Sequence, residues 1–195
     1  FGSLKKNEKP FVENSQYKPN NPYAASKAAG DHLVRSFNRT FNFPSIITNC
    51  SNNFGPYQND EKLIPLILSK IKKNIKIPIY GNGRQIRDWL YVKDHCEAIM
   101  LIAEKGKIGS TYNIGGNNEI ENLKLVKKIM HISSDLDQSK NYTHLLKLIS
   151  FVKDRKGHDI RYSINSSKIK KDLKWKNNSD FYNNLKETIS WYLDK

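Results

Sequence analysis

Tyr23-Ala24-Ala25-Ser26-Lys27 decides how this chain is read. It follows Asn20-Asn21-Pro22, where an asparagine can cap a helix and a proline can open its first turn. Residues 23–40 carry Ala24, Ala28, Leu33 and Phe37 and read as a helix with a mixed apolar face. On a helix, residues i and i+4 lie one above the other. The spacing therefore stacks a phenol and an ammonium on one face, and a neighbouring ammonium favours the phenolate form of a tyrosine. A phenol so placed can take a proton from an alcohol while hydride leaves the same carbon. Such a pair also arises by chance on solvated helices, so the rest of the chain must decide.

Outward from that helix, residues 1–20 are polar, contain Pro10 and Pro19, and read as a loop. Downstream, residues 44–48 read as a strand and 52–60 as a loop with a turn at Gly55-Pro56. Residues 62–73 read as a helix with Ile64, Ile67, Leu68 and Ile71 on one side. Residues 76–80 and 88–92 are strand-like and flank a turn at Asn82-Gly83. Asp94 is placed to cap a helix reaching Ala103, and Asn122 to cap one over 123–131. Residues 111–114, 148–152 and 161–164 look extended, and 166–173 and 180–192 look helical. Strands alternating with helices imply an α/β architecture.

Composition narrows the function classes. The 195 residues suffice for the core of one domain, or for parts of two. Cys50 and Cys96 lack metal-ligand spacing, which argues against a zinc or disulfide scaffold and for reduced thiols in a cytoplasmic protein. No metal site is expected. No run of eighteen apolar residues occurs, so no membrane association is expected. The net charge is +14, but the lysines and arginines are scattered and no paired-aromatic RNA-binding pattern occurs. Nucleic-acid binding is therefore not expected, and a small anionic ligand needs only a few of these cations.

Six further motifs follow the Tyr-Lys pair. They are Asn49-Cys50-Ser51-Asn52-Asn53-Phe54-Gly55-Pro56-Tyr57, Glu61-Lys62-Leu63-Ile64-Pro65 and Pro78-Ile79-Tyr80-Gly81, then Gln85-Ile86-Arg87-Asp88-Trp89-Leu90-Tyr91-Val92, Tyr112-Asn113-Ile114-Gly115-Gly116 and Asp154-Arg155-Lys156-Gly157-His158-Asp159. In order and spacing the chain resembles the dTDP-glucose 4,6-dehydratases, which sit in the extended short-chain dehydrogenase/reductase family of NAD-dependent epimerases and dehydratases. The likeness runs from Phe1 to Leu193 and is weakest over about 133–148.

The resemblance implies an incomplete Rossmann-type doubly wound sheet with a smaller α/β nucleotide-sugar domain. Residues 1–58 would complete the NAD-binding domain, and 59–195 would form mainly the substrate domain, with some segments returning to the first. It implies NAD as cofactor, dTDP-glucose as substrate, and a homodimer paired through a bundle that includes the Tyr-Lys helix. The implied reaction yields a 4-keto-6-deoxy sugar, a precursor for rhamnose-type polysaccharides.

Site roles come from the same likeness. Tyr23 would be the base at sugar carbon 4, with Lys27 supporting it and contacting the nicotinamide ribose. Asn53 would lie toward the nicotinamide and Asn52 toward the nucleotide sugar. Lys62 would meet a phosphate and Leu63 would add backbone or apolar contact. Pro78, Ile79 and Tyr80 would wall the nucleobase. Arg87 and Arg155 would clamp the diphosphate, where a guanidinium fork suits phosphate oxygens. Asn122 would contact the nucleotide, and His158 the diphosphate or ribose. Lys156 stands where the family usually has proline, which alters the stiffness expected of that loop.

Two family features do not occur in these 195 residues. No G-x-G-x-x-G turn is present, and Gly81-Asn82-Gly83 and Gly115-Gly116 read as ordinary turns. The family's Thr-Asp-Glu acid/base triplet is also missing, and Asp31, Glu61 and Asp88 do not match it. The expectation is the C-terminal portion of a longer enzyme, inactive alone. An epimerase or decarboxylase of the same family, or a non-catalytic nucleotide-sugar-binding remnant, are the other readings.

Overall fold

A computed structural model describes residues 1–177 and 180–194. In chain order the elements are α1 (Pro22–Phe41), β1 (Ile47–Cys50), β2 (Asn52–Phe54), α2 (Leu63–Lys72), β3 (Ile77–Tyr80), β4 (Ile86–Tyr91), α3 (Val92–Lys105) and β5 (Thr111–Ile114). There follow β6 (Glu119–Glu121), α4 (Asn122–Leu136), α5 (Tyr142–Leu146), β7 (Ile149–Val152), β8 (Arg161–Tyr162), α6 (Ser167–Leu173) and α7 (Phe181–Leu193). One sheet has the order β2-β4-β6, with β8 also pairing β4; the other two are the pairs β1-β5 and β3-β7. No helix among the described residues is long and apolar enough to cross a membrane. The chain divides into two compact units, and three of the five divisions fall within β2, β4 and β6.

The first unit comprises Phe1–Asn53, Arg87–Glu119 and Gly157–Asn178. Its β1 and β5 run parallel, with Ile47 opposite Thr111 and Cys50 opposite Ile114. Leu90, Ala98, Ile102, Tyr112, Ile114, Ile169 and Trp175 form its buried cluster, drawn from β4, α3, β5 and α6 with Trp175 beyond. Gly106 ends α3 where a side chain would meet the Ile102 carbonyl at 2.4 Å. Segment 1–20 has no regular element, but it is stitched down by bridges from Leu4 to Arg161 and Phe11 to Ile164.

The helix expected over 23–40 is α1. Of the two candidate caps, Asn21 is the one used: its side chain accepts from the Ala24 N–H at 2.9 Å, and Pro22 takes the first position. Asn42, at φ 52°, ends it in the left-handed region. No residue of α1 is buried.

The second unit comprises Phe54–Ile86, Ile120–Lys156 and Ser179–Lys195. Here β3 and β7 run parallel, with Ile77 opposite Ile149 and Tyr80 opposite Val152. The apolar face expected on α2 is buried through Ile64, Ile67, Leu68 and Ile71. It packs with α4, which buries Leu125, Val126, Ile129 and Met130, and with α7, which buries Leu185 and Ile189. Each such side chain contributes about 1.5–3 kcal/mol by leaving water.

Several boundaries differ from the sequence expectation. Strand β1 spans Ile47–Cys50 rather than 44–48, because its register is set by β5. Asn52–Phe54, expected in a loop, is strand β2. Asp94 and Asn122 do not cap their helices. Strand passes straight into helix at both places, so Tyr91 and Glu121 hold the cap positions, with no side-chain cap bond. Asp94 falls in the first turn of α3, and Asn122 is the first residue of α4. Helix α5 and strand β6 had no counterpart in the sequence reading.

Candidate active site

In the first unit, a cavity of about 510 Å³ is lined by Tyr17, Tyr23, Lys27, Asp31, Asn49 and Asn52, among others. Helix α1 supplies Tyr23, Lys27 and Asp31 at intervals of four, so one face of one helix forms one wall. Tyr23 is 72 % exposed, and its ring is open to a ligand. Strand β1 supplies Asn49 and Cys50, and Ser51 and Asn52 follow at its C-terminal end. Ends of parallel strands are where α/β folds place ligands.

A polar cluster behind this wall ties α1 to the sheet. The Tyr17 hydroxyl donates to Asp31 Oδ2 at 2.5 Å and accepts from Arg35 Nη2 at 3.4 Å and Asn49 Nδ2 at 3.5 Å. Arg35 Nη2 also donates to Thr111 Oγ1 at 3.2 Å. Burial, and then the bond to Asp31, raise the Tyr17 phenol above its ordinary range, so it stays a donor. Asn53 turns toward the strand end, where Nδ2 donates to Cys50 Sγ and to the Ser51 carbonyl, each at 3.3 Å. The cavity is thus lined by Asn52 but not by Asn53.

A second cluster fixes the turn after β5. Asp88 is fully buried and accepts from the Asn118 N–H at 2.7 Å and the Gly116 N–H at 3.0 Å. Burial raises its carboxyl above the usual range, against the pull of these bonds and one from Ser51. A side chain at Gly116 would reach within 1.8 Å of the Trp89 carbonyl, so backbone passes against backbone there. Arg87, one residue before Asp88, donates from Nη2 to the Asp159 carbonyl at 2.9 Å. His158, the residue before Asp159, is half-buried and follows Gly157 at φ 67°. Arg161 forks onto Glu119 at 2.5 and 2.6 Å. That pairing holds the Glu119 carboxyl below its usual range.

In the second unit the Arg155 guanidinium lies over the Tyr80 ring, 4.9 Å from its centroid, within cation–π range. Tyr80 is 42 % exposed at the end of β3. Pro78 is half-buried, whereas Ile79 is 3 % exposed and its side chain belongs to the core. Lys62 is exposed at the cap position of α2, with Leu63 half-buried behind it. The Asn122 N–H donates to the Gln85 carbonyl at 2.9 Å, which commits its backbone to the fold.

The structure therefore gathers Tyr23, Lys27 and Asn52 on one cavity, and Arg155 with Tyr80 elsewhere. The sequence reading did not single out Tyr17 or Asn49, and it passed over Asp31. The available signal was Asp31 itself, which stands four residues beyond Lys27 on the same face. Among the described residues, no cluster of three His, Cys, Asp or Glu could hold a metal.

Comparison with known proteins adds the following. A family model described as GDP-mannose 4,6 dehydratase matches residues 1–188. A dTDP-glucose 4,6-dehydratase of Haemophilus influenzae is 49 % identical over 195 residues, which cover 99 % of this chain and 58 % of that protein. One of Escherichia coli is 50 % identical over 186 residues, covering 94 % and 51 %. The chain thus spans little more than half the length of these relatives. The crystal structure of a Bacillus anthracis dTDP-glucose 4,6-dehydratase in complex with NAD superposes at a TM-score of 0.89, with 42 % identity, over 100 % of this chain and 58 % of that one. A UDP-glucuronic acid 4-epimerase of Bacillus cereus, 21 % identical with a TM-score of 0.84 over 97 % and 58 %, shares the fold.

Proposed function

Since the chain belongs to the GDP-mannose 4,6 dehydratase family, we propose that it supplies the Tyr-Lys portion of an NAD-dependent dTDP-glucose 4,6-dehydratase. The observation that carries this reading is Tyr23 and Lys27, one turn apart, lining a single cavity with Asn52.

Tyr23 takes the proton of the sugar's carbon-4 hydroxyl, and its exposure lets that hydroxyl reach it. Lys27 places its ammonium on the same face, one turn from the phenol, where it meets the nicotinamide ribose. Asn52 orients the sugar with amide hydrogen bonds. Oxidation at carbon 4 acidifies the proton at carbon 5, and water then leaves across carbons 5 and 6. NAD, when bound, supplies the hydride acceptor at carbon 4 and the hydride donor at carbon 6. The residues present fit its nicotinamide-ribose end, a polar pocket with an ammonium and an open phenol.

Each unit carries its own share of the equipment. The first unit carries the NAD-facing residues, with Arg87 and His158 for the diphosphate. The second carries Lys62 and Leu63, the Pro78–Tyr80 segment, Asn122 and Arg155 for the nucleotide. The complete enzyme is a homodimer paired through α1, and the thiols of Cys50 and Cys96, free in this fold, suit the cytoplasm.

The test joins this chain to the portion of the Haemophilus influenzae relative that it does not match. With dTDP-glucose and NAD+, the fusion yields the 4-keto sugar and the isolated chain yields none. Tyr23→Phe in the fusion lowers turnover by roughly 10²–10⁴-fold. Near-normal turnover of that variant refutes the assigned base.

A further inference from the structure

One amide braces the Arg155–Tyr80 contact. Gln85 is 8 % exposed and stands just before β4. Its Nε2 donates to Asp154 Oδ2 at 2.7 Å and to the Tyr80 carbonyl at 3.3 Å. The other Asp154 oxygen accepts the Arg155 N–H at 2.8 Å. A single side chain therefore bonds the backbone of Tyr80 and the carboxylate that fixes the backbone of Arg155. Gly81 leaves the room for this: at φ +58°, a side chain there would come within 2.7 Å of Asp154 Oδ2 and 3.2 Å of Gln85 Nε2. Both acceptors need N–H donors, and of the side chains with this length and planar end only glutamine offers two from one nitrogen.

We propose that Gln85 is a positioning residue that sets Arg155 over Tyr80 through Asp154, and so strengthens the grip on a pyrimidine nucleoside diphosphate. The inference rests on the reading that Tyr80 and Arg155 meet the nucleotide. An arginine side chain loses considerable rotamer freedom when it clamps a phosphate. Holding its backbone and guanidinium in place beforehand lowers that cost of binding. The brace is neutral at the Gln85 end, so it adds no charge to compete with the phosphates for Arg155.

The test uses the whole chain with Gln85→Met, Asp154→Asn and Arg155→Ala. The first readout is the Arg155 Nε–H resonance in the ligand-free protein, which the Tyr80 ring shifts upfield. Gln85→Met moves it to the position of a solvated arginine, and Asp154→Asn, whose amide keeps only one of the two acceptor oxygens in use, moves it in the same direction. The second readout is calorimetric affinity for thymidine diphosphate. Gln85→Met weakens it by about tenfold, the loss of a part-buried hydrogen-bonded brace. The double variant Gln85→Met/Arg155→Ala binds no more weakly than Arg155→Ala alone, because the two act as one unit. Additive losses, or an unmoved Arg155 resonance in Gln85→Met, overturn the proposal. If the unsubstituted chain does not bind thymidine diphosphate, the nucleotide reading fails, and the Arg155 resonance alone still decides the role of Gln85. Should Gln85→Met not fold, Gln85→Glu, of the same shape but without N–H donors, is read on the same resonance.

Discussion

Helices α1 and α4 are fastened by different forces. Helix α4 buries six of its fifteen residues, among them Leu125, Ile129 and Met130, against its neighbours. Helix α1 has twenty residues and buries none. Leu33, Phe37 and Phe41, at intervals of four, remain 61, 52 and 69 % exposed. What holds α1 is polar: Asp31 and Arg35 on Tyr17, and Arg35 on Thr111. Apolar packing resists any displacement and is indifferent to pH. Directional bonds fix orientation, and orientation is what a proton-transferring face needs. The helix proposed to do chemistry is the one set by bonds, and the helix with no proposed chemistry beyond its first residue is the one set by packing.

Substitution can break this contrast, and the largest effect falls in α4. Ile129→Ala leaves a cavity at a fully buried site and costs about 2–5 kcal/mol in denaturant unfolding. A loss below about 1 kcal/mol would mean the second unit is not held by its core. Tyr17→Phe removes the hydroxyl from the polar cluster and costs about 1 kcal/mol. Amide exchange should then accelerate across residues 22–41 while α4 stays protected, and uniform acceleration would contradict a local fastening.

Acid sharpens the comparison further. Glu119 has a lowered folded-state pKa, first through its hydrogen bond from Arg161. Its contribution is therefore present above its ordinary value of 4.5 and is lost as pH falls through the lower folded value. Glu119→Gln should destabilise at pH 7, and the difference from the parent chain should shrink on acidification. A difference that grows instead would reverse the sign of this linkage. The smallest effect is on the open face of α1. In the isolated, unpaired chain Leu33→Ala should stay within about 0.5 kcal/mol, since little of its surface leaves water there.

Much of this was legible in the chain because its signals are local. Pro22, the four-residue spacing from Tyr23 and the apolar period of 62–73 are contained within single helices, and α1 and α2 appear where they point. Tyr23 and Lys27 could be placed on one face for the same reason. Pairings of distant residues were not legible. Arg161 meets Glu119 across 42 positions and Tyr17 meets Asp31 across 14, and neither partner carries a local mark of the other. Asp88 sat in a recognised motif, but its acceptors' task depends on a turn 28 residues on. Asp94 and Asn122 looked like caps because their side chains suit that role. The strands β4 and β6 run directly into α3 and α4 and leave no extended residue there to cap. Ile79 could not be told from a ligand wall by sequence, since alternation along β3 turns it inward between two outward neighbours.

The parallel register of both strand pairs bears on how the chain reaches its native state. Ile47 must find Thr111, and Ile77 must find Ile149, before either ladder exists. Each closure spans a long stretch of intervening polypeptide, so the entropy of bringing ends together is spent early and the reward arrives late. Refolding from urea should be slow beside a helical bundle of equal size, and the unpaired strands should be most prone to aggregate during that interval.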